Sequence, residues 1–144
     1  RFDLQAPWPQ FPEAARLAQD FPDARIILNH TGLPAERSRE GLAGWKKALQ
    51  VLAACPNAAL KISGLGVPGQ AWTAQSNREI VLAAIEIFGI GRSMFASNFP
   101  VDGLCASFDT IATGMREILR DFAAAEQRAF FHDNAVRIYD MERR

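Results

Sequence analysis

Short apolar runs alternate with longer amphipathic ones along the chain, and the alternation repeats. Residues 2–5 read as the end of a strand. Residues 11–21 place Ala14, Ala15, Leu17, Ala18 and Phe21 at helical spacing, with Pro12 tolerated in the first turn. After the Pro22-Asp23 break, residues 25–29 run through Ile26, Ile27 and Leu28, a continuous apolar strand pattern. A polar loop covers residues 31–41. Leu42, Trp45, Leu49, Leu52 and Cys55 then resume a helix that Pro56-Asn57 stops.

The cycle recurs with a strand at residues 59–63 and a glycine-rich loop at 64–69. Ser76, with Glu79 three residues on, predicts a capping box opening a helix. That helix buries Ile80, Ala83, Ala84, Ile87 and Phe88 and closes at Gly89. Residues 93–97 form the fourth strand. Residues 108–122 read as a helix, and 123–139 as one or two more. Strands recur every ~25–35 residues, the length of a βα unit joining parallel strands. The predicted class is therefore α/β: four parallel βα units plus C-terminal helices, with residues 1–144 as a single unit. Four units amount to half of a (β/α)8 barrel of ~250 residues. An open flavodoxin-like sheet is the competing architecture, but its first βα turn is usually glycine-rich. Here that turn is Ala6-Pro7-Trp8-Pro9.

Composition narrows the class further. The 144 residues are 49% hydrophobic and 22% charged, too apolar for disorder and enough to bury a core. Sixteen basic residues offset sixteen acidic ones, so nothing marks a nucleic-acid or anionic-membrane partner. No apolar stretch nears the ~20 residues of a membrane span. Cys55 and Cys105 lack C-x-x-C spacing and read as reduced thiols, which with the missing signal pattern predicts a cytoplasmic protein.

In parallel α/β folds ligands meet the C-terminal ends of strands. Those ends carry Asp3 and Gln5, then Asn29, His30, Thr31 and Gly32, then Lys61 and Ser63, then Ser97, Asn98 and Asp102. Polar residues gathered on the rim of apolar strands are the strongest functional signal in the chain. His30 can ligate a divalent metal or move a proton near neutral pH; the alternative is a hydrogen-bonded loop histidine. His132 falls in a C-terminal helix and reads as a structural or surface residue. Asp3 reads as a base, a ligand holder or the partner of a barrel cation, Lys61 among them. Gln5 shares its face. The 64–69 loop could offer N–H groups to an anion or be a plain connection. Trp8 and Trp72 lie in rim loops where they could wall a pocket, whereas Trp45 has core spacing.

Three motifs in order, with a fourth, carry a family likeness: Ile26 to Gly32 (IILNHTG), Leu60 to Gly66 (LKISGLG), Met94 to Asp102 (MFASNFPVD) and Asn134 to Tyr139 (NAVRIY). Together they resemble the amidohydrolase-2 family of TIM-barrel hydrolases, in the branch of fuconolactonases and pyrone-dicarboxylate lactonases. The likeness covers the last four βα units of that family, strands 5 to 8. It implies that His30 is a metal ligand or a carbonyl-polarising group. It also implies that Ser97-Asn98-Phe99-Pro100 stands where the family commonly has Ser-Asp-Trp-Pro or Ser-Asp-Phe-Pro. The family's Asp activates water; Asn98 cannot take that proton. Asp102 is then either a replacement base or a loop-capping carboxylate. The family's strand-1 His-x-His pair is not in the chain.

The resulting expectation is part of a cytoplasmic TIM-barrel hydrolase that opens a lactone or related cyclic ester by water attack. Its catalytic residues would be His30, Asn98, Asp102 and Asp3. Gln5, Asn29, Lys61 and Trp8 would bind the small-molecule substrate, and the full-length parent would hold one divalent metal (Zn or Mn, through His30) or none. The alternative is a degenerate barrel that binds an anionic small molecule. A half barrel is expected to self-associate through its sheet edges and to be inactive alone.

Overall fold

The computed structural model describes residues 1–141. Its four strands are β1 (Phe2–Leu4), β2 (Ile26–Leu28), β3 (Ala58–Ile62) and β4 (Ser93–Phe95). All neighbours pair in parallel, in the spatial order β1-β2-β3-β4. Sequential order without a reversal is the barrel pattern, and it removes the flavodoxin-like alternative, whose strand order reverses at a switch point. The sheet thus holds half the strands of an eight-stranded barrel.

Between the strands lie α1 (Phe11–Asp20), α2 (Arg39–Ala53) and α3 (Ala74–Phe88), followed by α4 (Phe108–Ile118). The two-residue periodicity of the strands divides the core. Ile26, Leu28, Leu60 and Ile62 pack with Phe11, Trp45, Leu49, Phe88 and Met115 on the helical side. Ile27, Ala59 and Met94 face the other way and are covered by Ile138. That covering comes from α6 (Asn134–Ile138), which follows α5 (Ala124–Arg128) and a π-helical turn (Ala129–Asp133) whose Phe130 packs into the helical side. Asn134 fixes α6 beneath β4 by donating to the carbonyls of Ile90 (2.7 Å) and Ser93 (2.8 Å).

Two local expectations are corrected. Helix α3 is capped by Thr73, whose Oγ1 accepts from Ser76 N, so Ser76 is the third helical residue rather than the cap. Glu79 instead pairs with Lys46 at 2.8 Å. Trp72 does not wall a pocket: it is buried, and a Cβ on Gly114 would meet its ring at 2.3 Å, so α4 needs glycine there to pack. Trp8 is half-buried, with the edge of its ring against Gly44 of α2.

Candidate functional site

The ladders end early. β2 stops at Leu28 and β4 at Phe95; Asn29 N still donates to Leu4 O (2.8 Å) and Ala96 N to Ile62 O (3.2 Å), and the chain leaves the sheet just after them to form the rim. His30 and Thr31 both adopt φ of 55°, and Asn98 of 54°. Left-handed backbone at non-glycine residues, one of them β-branched, is held only where surrounding contacts over-determine it.

Those contacts are present at the second strand end. Thr31 is fully buried; its Oγ1 donates to Ser63 O (2.8 Å) and accepts from Ser63 N (3.1 Å). Trp45 Nε1 donates to Thr31 O at 2.9 Å. This clamp joins the end of β2 to the end of β3 and brings His30 Nδ1 to 3.1 Å from Ser63 Oγ. Gly64 completes the seat: at φ 63°, any Cβ there would come within 2.6 Å of His30 Cβ. The glycine of the loop is required by the histidine above it.

At the fourth strand end Asn98 Nδ2 donates to Asp102 Oδ1 at 2.9 Å, and Gly66 N donates to Asp102 Oδ2 at 3.3 Å. Asp102 is 6% exposed. The glycine-rich loop therefore gives an N–H to an internal carboxylate. Asp102 thus accepts hydrogen bonds from two loops and stands beside Asn98 on the rim.

Burial pushes the His30 imidazole below its ordinary value of 6.5; the charge of Asp102 opposes this and that of Lys61 adds to it. The shift favours the neutral ring over the imidazolium. Lys61 donates to Asp3 Oδ1 at 2.7 Å, Tyr139 donates to the same oxygen, and the Lys61 ammonium lies 5.1 Å from the Tyr139 ring centroid. Burial would raise the Asp3 carboxyl, but the bonds from Lys61 and Tyr139 outweigh it and hold the group below its usual range. Burial likewise works against the Lys61 ammonium, and the bonds to Asp3 and Tyr139 reverse that and raise it. Tyr139 was missed in the sequence because it lies in a terminal helix, far from any strand end.

Asn29 Oδ1 is buried without a partner among the described residues, leaving an acceptor beside His30. Gln5 is exposed. His132 is exposed and paired with Asp133 at 2.7 Å, away from the rim residues. Cys55 and Cys105 are free thiols.

The chain was compared with known proteins. The family model described as Amidohydrolase matches residues 2–141. The protein y4mH of Sinorhizobium fredii is 48% identical over 138 residues, covering 96% of this chain and 46% of the relative. An L-fucono-1,5-lactonase of Burkholderia multivorans is 36% identical over 126 residues, covering 79% of this chain and 42% of the relative. Among solved structures, an amidohydrolase of Burkholderia multivorans with bound zinc superposes with a TM-score of 0.87 at 29% identity, covering 97% of this chain and 52% of that one. The chain thus spans about half the length of the relatives it matches.

Zinc sites use three or four imidazole, thiolate or carboxylate donors. Among the described residues no group of three such side chains converges. His30 has an amide, Asn98, as its rim companion, and the donors of this chain do not by themselves fit a zinc ion.

Proposed function

Because this chain belongs to the amidohydrolase family, we propose that it forms the acid–base and substrate-orienting half of a hydrolase that opens a lactone or related cyclic ester. The observation that carries this reading is His30, seated on Gly64 and hydrogen-bonded to Ser63, beside the Asn98–Asp102 pair.

In the proposed reaction a water oxygen bonds to the ester carbonyl carbon and the ring C–O bond breaks. A hydroxy acid results. With Ser63 Oγ donating to Nδ1, His30 Nε2–H is free to polarise the carbonyl oxygen. Asn98 Oδ1, whose amide nitrogen is committed to Asp102, accepts a hydrogen bond from the attacking water. Asp102 is the carboxylate whose charge reaches His30. It takes the proton from water and returns it to the departing ring oxygen. Asp3 is held by Lys61 and Tyr139, so its part is to keep the ammonium in place. Lys61 and the open acceptor of Asn29 bind polar groups of the substrate, with Gln5 at the rim. We place the protein in the cytoplasm, where Cys55 and Cys105 remain thiols; no helix of the described residues is long and apolar enough to cross a membrane.

The test is hydrolysis of aldono- and pyrone lactones by the full-length parent, with His30→Asn alongside. A loss of roughly a hundredfold or more in kcat, typical for removing such a group, is expected. Unchanged turnover removes His30 from the reaction. A parent that binds the lactones without turning them over supports the second reading, a degenerate barrel, which the Asn in place of a base favours.

A further inference from the structure

At the end of the sheet opposite His30, a cavity of about 230 Å³ opens between the N-terminal ends of β2 and β3 and the helix α6. Arg25, Arg92 and Arg137 all line it, and among the described residues Asp23 is the one carboxylate in its wall. Among the described residues none of the three guanidiniums is in an ion pair. Their hydrogen bonds go mostly to carbonyls. Arg92 donates to the carbonyls of Ala53, Cys55, Ala58 and Phe88. Arg25 Nη1 donates to those of Arg137 (3.1 Å) and Ile138 (2.8 Å). Arg137 Nη2 donates to Gly91 O and Asn134 Oδ1.

Carbonyl oxygens fix the direction of a guanidinium without cancelling its charge. Three such charges face one carboxylate across a small space, and Arg25 and Arg92 are half-buried, so water screens them less than surface charges. Arg25 keeps Nε and Nη2, and Arg137 keeps Nε and Nη1, without an acceptor among the described residues. A guanidinium offers its N–H groups in a planar fork that matches the spacing of oxygens on phosphate or carboxylate.

We propose that this basal cavity is a binding site for a compact oxyanion of phosphate size, held between Arg25, just before β2, and Arg137 on α6. The site is separate from the rim and does not depend on the lactonase reading. An anion there joins α6 to β2, two residues before Tyr139, which reaches the Asp3–Lys61 pair.

The test is calorimetric titration and thermal unfolding of the intact protein with inorganic phosphate, against chloride at equal ionic strength. Saturable binding with one site per chain is expected, weakened at least tenfold in Arg25→Gln. Asp23→Asn removes the opposing carboxylate at an exposed position and should tighten binding severalfold, which keeps the test decisive if Arg25→Gln does not fold. His30→Asn should bind phosphate as the parent does. A response that follows ionic strength alone overturns the proposal and leaves the arginines as carbonyl staples. So does an affinity unchanged in Asp23→Asn, or binding lost in His30→Asn.

Discussion

Asn98 turns its side-chain nitrogen, 2.9 Å away, onto Asp102 Oδ1, which leaves its Oδ1 as an acceptor on the other side of the amide. A carboxylate accepts and cannot donate, so this contact fixes the orientation of the amide. Asn98, at the position the family resemblance would give to an acid, is therefore tied to a carboxylate four positions on.

Replacing Asn98 by Asp puts two carboxylates in that contact, and the pair should share one proton. The raised folded-state pKa means that stability is retained at low pH and lost as pH rises. Asn98→Asp should be about 1–3 kcal/mol less stable than the parent at pH 8, the cost of a lost buried polar contact, and should recover towards pH 5. Urea unfolding at both pH values measures it. An equal deficit at both removes the shared-proton account.

Thr31→Val takes both hydrogen bonds from the buried backbone of Ser63. Unsatisfied buried groups cost ~1–3 kcal/mol, so the variant should unfold at clearly lower urea concentration, whereas Thr31→Ser stays near the parent. Equal midpoints for Val and Ser would show that the clamp contributes nothing.

His30 titrates below 6.5 because burial disfavours the imidazolium, with Asp102 opposing and Lys61 assisting. Around pH 6.5 the folded chain then binds fewer protons than the unfolded one. This contribution is fully present above 6.5 and is lost as pH falls through the folded value. A ring titration by NMR should give a midpoint below 6.5 that rises in Lys61→Met, and His30→Asn should flatten the stability slope between pH 5 and 7. A midpoint indifferent to Lys61 excludes the electrostatic link.

The edges of the sheet are strands β1 and β4, each with a neighbour on one side only. Phe99, Val101, Leu104 and Phe108 are exposed just beyond β4, Leu104 at 86%. Unpaired parallel edges next to apolar surface favour association. This chain alone should run above monomer mass in light scattering, and Leu104→Lys should shift it towards monomer. A monomer at high concentration contradicts the expectation.

Much of the rim was legible because the strand ends announce themselves: polar Asn29-His30 follows apolar Ile26 to Leu28, and Asn98 follows Met94-Phe95. The order of strands and the pairing of Asp3 with Lys61 were within reach of the same pattern. Trp72 was misread because an aromatic in a loop looks alike whether it lines a pocket or fills a gap over glycine. Only the close approach of Gly114 tells the two apart. The cap of α3 went to Thr73 because helix phase is set by packing over whole turns.

The sequence by itself determined the four βα repeats, the polar rim and the family, since periodicity and motif order are local properties read along the chain. Tertiary structure decided what each rim residue is free to do. Asp102 is occupied by Asn98 and Gly66, His30 is steered by Ser63 from the next strand, and Tyr139 arrives from a helix more than a hundred residues away to hold Asp3. Hydrogen-bond commitments and burial depend on neighbours distant in the chain, and those neighbours exist only once the sheet is laid out.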